Sequence, residues 1–98
     1  EDVKPKGPGM YFLRDALSCD EIGVTVVEAD AGWEGMEHAH ESDGQEEVYV
    51  LLAGSAKLAV EDETVDLEPG DAVRVDAEDS RMLLFEADDS RMVIAGAP

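Results

Sequence analysis

An all-β barrel or sandwich is the fold class this sequence predicts, and three observations carry that expectation. Short β-branched and apolar runs recur at intervals of roughly 8 to 12 residues, a spacing typical of small sandwiches and barrels. Asp/Glu/Ser or Pro/Gly clusters separate the runs, and only residues 13–17 have room for a helical turn. Side chains two apart share a face of an extended chain, so each run can bury one face and leave the other wet.

Taken in order, Pro5, Gly7, Pro8 and Gly9 make residues 1–10 an irregular arm, leaving residues 11–98 as a single domain. Residues 22–29 are β-branched and apolar, and Ala31-Gly32 closes that strand before an extended segment over 33–40. Residues 47–54 and 56–61 form two strands broken at Gly54, and Asp62-Glu63 turns the chain into a strand over 64–67. Pro69-Gly70-Asp71 is a strong turn, followed by strands over 72–75, 82–86 and 91–95. No internal repeat or low-complexity tract interrupts the pattern.

At 98 residues and 44% hydrophobic content the chain can bury one core but not two. Its 25 acidic residues against 7 basic ones give a net charge of -18, which repels nucleic-acid phosphates and anionic lipid headgroups. Neither nucleic acid nor membrane is expected as a partner. The acidic residues run from Glu1 to Asp89 without a block of five, so they coat a surface and form no tail. Lysine occurs only at positions 4, 6 and 57. An evenly acidic, lysine-poor surface is the pattern expected of a salt-in halophile, where molar salt screens the self-repulsion. Cys19 is the sole cysteine, so a cytoplasmic protein without an intrachain disulfide is expected. Asp20 and Glu21 follow Cys19 and oppose its ionisation, which leaves it a small buried hydrophobe instead of a nucleophile. The longest apolar run, 48–53, is far too short to span a membrane as a helix. The first residue is Glu1, not methionine, and a short leader or tag ahead of it is expected.

The two histidines are His38 and His40, at strand spacing. Roughly 2 in 100 random placements of two histidines would give this spacing, so the pair calls for an explanation. Both imidazoles would enter one space, and Met36 shares their face. Glu47 lies beyond a carboxylate-rich stretch, with Tyr49 and Leu51 on its own face. Glu46 is the neighbouring alternative, but one step along a strand reverses the side chain, so only one of the two can point inward with the histidines. Two histidines with one carboxylate is a donor set that suits Fe, Mn, Ni or Zn and keeps coordination positions open.

Gly32, five residues, His38-Ala39-His40, six residues, Glu47, six residues and Gly54 together resemble the first motif of the cupins, with two extra residues before the glutamate. Because of that extra length, Gln45 falls at the spacing the stricter family pattern would use. Leu67-Glu-Pro-Gly-Asp-Ala-Val-Arg-Val75 resembles the turn and strand that open the second motif. The resemblance covers residues 32–85. It implies a cupin-type double-stranded β-helix, a jelly-roll barrel, with His38, His40 and Glu47 lining the interior as metal ligands. It also implies a dimer formed through sheet faces, for which Val48, Val50 and Leu52 supply an apolar outer face. Aligned forward from Gly70, the position of the family's fourth ligand, a histidine, is taken by Arg81.

Arg81 shares strand parity with Leu83 and Phe85, which favours an inward side chain if those two are core. An inward guanidinium ~5 Å from a dication would be repelled by roughly 6 to 7 kcal/mol at an effective dielectric of about 20. Three readings are therefore open: a three-ligand metal site, a metal-free module in which Arg81 anchors an anionic small molecule, or a dimeric structural domain without a ligand. An Arg81 turned to solvent beside Asp79 and Glu86 is the bland alternative. Trp33, Met36 and Tyr49, with Met82, are candidates to line a ligand pocket, although such residues on strands are more often core. No residue is assigned a catalytic role.

Overall fold

The structure, a computed structural model, describes residues 10–13, 22–35, 39 and 44–98. Among them there are eight strands and no helix: β1 (Met10–Phe12), β2 (Gly23–Ala29), β3 (Glu46–Ala53), β4 (Ala56–Val60), β5 (Glu63–Leu67), β6 (Ala72–Val75), β7 (Arg81–Phe85) and β8 (Ser90–Ala97). They form two antiparallel sheets, ordered β1-β2-β8-β3-β6 and β5-β4-β7. This is a double-sheet jelly-roll barrel of the cupin type. Period-two patterning produces it: along β3, Tyr49 and Leu51 are buried while Val48 and Leu52 are exposed, and along β7 Arg81, Leu83 and Phe85 are buried.

The inner faces of both sheets meet in one core of Val27, Tyr49, Leu51, Leu58, Phe85 and Met92 with their neighbours. Burying side chains of this size contributes about 1.5–3 kcal/mol each. Segment 32–35 runs along the free edge of β7. Gly32 N–H donates to the Phe85 carbonyl (2.9 Å), Phe85 N–H to that of Trp33 (3.0 Å) and Gly35 N–H to that of Leu83 (2.9 Å). The start of the extended segment expected over 33–40 is thus seen, and it covers an edge that would otherwise invite association.

At the β3–β4 corner Gly54 has φ +88°, and a Cβ there would come within 2.0 Å of Ser90 Oγ and 2.6 Å of Ser90 Cα. Only glycine fits that turn. Ser90 is itself buried; its hydroxyl accepts from Ser55 N–H at 3.3 Å, tying the start of β8 to this corner, and donates to the Ala87 carbonyl at 2.7 Å.

Several boundaries differ from the sequence reading: β3 runs one residue earlier than 47–54, β8 extends beyond 91–95 at both ends, and three further differences have a visible cause. β1 was not expected; it pairs Met10 with Val27 and takes residue 10 out of the arm. The β4–β5 turn falls at Glu61-Asp62, one residue early, with Glu61 at φ 51° and its carboxylate accepting from Ser80 N–H at 3.0 Å. β7 begins at Arg81 rather than Met82 because Val60 pairs with Arg81 across β4. The rest of the arm, the possible helical turn and Cys19 lie outside the described residues.

Candidate site inside the barrel

Of the two adjacent carboxylates, Glu47 is the one that turns inward. Glu46 stays exposed and pairs with Arg74 Nη2 at 2.9 Å, because β3 and β6 place Arg74 opposite Val48 on the outer face. The guanidinium of Arg74 also holds the Asp76 carboxylate at 2.8 Å, and these exposed pairs contribute little to stability. Glu47 sits opposite Gly96 of β8, and a Cβ on Gly96 would come within 3.1 Å of Glu47 Cγ and 3.3 Å of Gln45 Oε1. The missing side chain leaves Glu47 room to lie across β8.

Tyr49, two residues on, donates its hydroxyl to Glu47 Oε1 at 2.9 Å. Burial, the Glu47 charge and this hydrogen bond together push the Tyr49 phenol far above its ordinary range, so it stays a proton donor. Arg81 reaches the same carboxylate from the opposite sheet. Its side chain is wholly buried, with Nη1 3.7 Å from Glu47 Oε1, whose own side chain is 12% exposed. Nη2 donates to the backbone carbonyl of Asp76 at 2.5 Å. Arg81 Nε and Nη1 have no hydrogen-bond partner among the described residues. A solvent-facing Arg81 paired with Asp79 or Glu86 is ruled out by this burial; Glu86 pairs instead with Lys57 at 3.7 Å.

The structure therefore brings Glu47, Tyr49 and Arg81 together. Trp33 packs against the core, its ring 5.4 Å from that of Phe85 at a 34° tilt. His38, His40 and Met36 lie outside the described residues. The Asp76 carbonyl that holds Arg81 carries no sequence signal, since any residue supplies a carbonyl. The Tyr49–Glu47 contact was legible from strand parity.

Among the described donors, the arrangement does not fit a divalent metal. A dication bound to Glu47 would share that carboxylate with a buried guanidinium already 3.7 Å from it. At ~5 Å between the cations the repulsion is roughly 6 to 7 kcal/mol at an effective dielectric of about 20. What the described residues bring together instead is a guanidinium whose Nε and Nη1 make no hydrogen bond among them, a carboxylate and a phenol, set beside the apolar core.

No helix among the described residues is long and apolar enough to cross a membrane. A comparison with curated proteins finds no match. Solved structures share the fold at low identity. KdgF from a Halomonas species is 20% identical at a TM-score of 0.80, with 100% of this chain and 86% of that one covered. A cupin protein from Bacteroides fragilis is 20% identical at 0.76, covering 99% and 85%. A sugar phosphate isomerase of the cupin superfamily from Silicibacter pomeroyi is 20% identical at 0.75, covering 92% of this chain and 60% of that one. The cupin domain family model matches residues 25–94, and the chain belongs to that family.

Proposed function

We propose that this cupin domain binds a small organic molecule inside its barrel, without a metal, through an anionic group anchored on Arg81. The observation that carries the reading is the pair of unpartnered donors, Nε and Nη1, on a fully buried guanidinium. A buried charged donor left unsatisfied costs at least about 1–3 kcal/mol, and an anionic acceptor offsets that cost with a charge-assisted hydrogen bond. A ligand rich in oxygen matches such a site. The sugar phosphate isomerase among the structural neighbours is a protein of the same fold whose substrate carries an anionic group.

A second reading keeps His38, His40 and Glu47 as ligands for Fe, Mn, Ni or Zn. In its favour Glu47 faces the interior; against it stands the Arg81 guanidinium. Calorimetry with acetate and phosphate, on untagged protein whose metal content is measured, separates the two. Metal-free protein that binds either anion, and loses that affinity on Arg81→Met and Arg81→Lys substitution, supports the anchor. Stoichiometric metal that disappears in His38→Ala and tightens in Arg81→His replaces it with the metal centre. Around this site we infer one barrel domain, expected over 11–98 and begun at Met10 by β1, with an N-terminal arm before it. The protein is a cytoplasmic one from a halophile, and it forms a homodimer through the outer face of β3.

A further inference from the structure

Resting on the homodimer reading, we propose that two copies meet across the whole outer face of the five-stranded sheet, related by a two-fold axis that runs along β8. Strand order places β8 third of five, with β2 on one side and β3 on the other. An axis along the middle strand lays β3 of each copy over β2 of the other, and β6 over β1. The registers then decide which side chains meet. Val50, Val93 and Val26 stand level across β3, β8 and β2, with Ala72 on β6 and Tyr11 on β1 in the same row. Val50 therefore faces Val26 of the other copy, Val93 faces its own equivalent, and the bulk of Tyr11 falls on Ala72. Between Tyr11 and Leu52 the face sinks into a groove of about 550 Å³ lined by Val26 and Val93, beside which β3 stands as a ridge with Val48 38% and Leu52 50% exposed. The same axis brings each ridge onto the other copy's groove.

Strands of three to eight residues, each residue covering roughly 3.3 by 4.8 Å, give this face roughly 500 Å² per copy. Two such faces bury roughly 1,000 Å², where specific interfaces begin, and β3 alone would supply only about a quarter of that. Charge selects the occupant. The chain carries -18, yet the described charges of this face are Arg91 with Glu28 at 2.7 Å, and Arg74 with Glu46 and Asp76 at 2.9 and 2.8 Å. Two arginines against three carboxylates leave the face nearly neutral, so a second copy of the acidic chain can be laid on it without facing the bulk of that charge. A basic partner would find little here to attract it.

Analytical ultracentrifugation of the full chain in molar KCl tests this, with circular dichroism to confirm that each variant keeps its sheet. Val26→Lys and Val50→Glu lie on strands separated by β8 within one copy, and each alone is expected to weaken self-association about tenfold or more. Combined, Val26→Lys/Val50→Glu sets opposite charges against each other on both sides of the axis, and should recover about tenfold of what either single substitution loses. Val26→Ala, which removes bulk without adding charge, should weaken association several-fold and serves in place of a charged variant that fails to fold. A dimer indifferent to every substitution at Val26 overturns the β8 axis and leaves a dimer centred on β3 standing, because β2 would then lie outside the contact. Single variants that dissociate with no recovery in the pair also overturn the axis. A parent chain that stays monomeric at every concentration overturns the homodimer reading itself.

Discussion

If Arg81 and Glu47 serve a ligand, the pair need contribute little net stability, and a double-mutant cycle measures that. Across 3.7 Å the attraction is about 4–5 kcal/mol at an effective dielectric of about 20. Against it stand the desolvation of a wholly buried guanidinium, several kcal/mol, and two unpartnered donors at about 1–3 kcal/mol each. The opposing terms are of similar size. Removing one partner leaves the other charge buried and uncompensated. Glu47→Gln should therefore destabilise by about 3–5 kcal/mol. Arg81→Met should cost somewhat less, because Glu47 keeps the Tyr49 hydroxyl and a 12% exposed edge.

The double variant Arg81→Met/Glu47→Gln has no buried charge left and a side chain of similar length in place of arginine. It should return to within about 1 kcal/mol of the parent, or exceed it, as replaced buried ion pairs commonly do. Urea denaturation in molar salt gives all four corners of the cycle. A double variant destabilised by the sum of the singles would refute the reasoning, because Arg81 would then act through its Asp76 contact as a structural strut.

Gly54→Ala should destabilise by about 3 kcal/mol or more, and Ser90→Ala should not rescue it, since the clash with Ser90 Cα at 2.6 Å persists; urea midpoints check both. With a net charge of -18, the melting temperature should rise on the order of 10 °C between low and molar KCl, and a flat profile would contradict the halophilic reading. Val48 and Leu52, 38% and 50% exposed, lie on the outer face of β3. Val48→Glu/Leu52→Glu should convert a dimer to a monomer in sedimentation velocity, and a monomeric parent would refute the interface.

Most strands were legible because their information is local. Strand β7 alternates Arg81, Leu83 and Phe85 against Met82 and Leu84, so parity alone sends Arg81 inward once Phe85 is core. Strand β1 was not legible: it has three residues, follows a Pro/Gly-rich stretch, and exists through its pairing with β2. The choice of Glu47 over Glu46 was local as well, since Glu47 shares parity with buried Tyr49 and Leu51. Arg74, 28 residues away, meets Glu46 on the outer face only once the β3–β6 register is set. Trp33 could equally have lined a pocket; its tilt against Phe85 follows from the backbone pairing of 32–35 with β7, which no side-chain pattern encodes.

The location of the basic residues bears on how the site would behave in salt. Arg74 and Arg91 stand on the surface beside Glu46, Asp76 and Glu28, and Lys57 lies between Asp66 and Glu86. Ions reach these pairs freely, and at about 1 M the screening length falls to about 3 Å, comparable to the 2.7–3.7 Å over which they act. The Arg81–Glu47 pair lies between the two sheets, with Arg81 wholly buried and Glu47 12% exposed, and pairs so buried are screened much less. Its coupling in the double-mutant cycle should therefore be the same at low and molar KCl, while that of Arg91 with Glu28 falls to nothing. A coupling at Arg81 that fades with salt would mean that water and ions reach the barrel interior. Polar recognition by a buried pair would then have no dry surroundings to depend on.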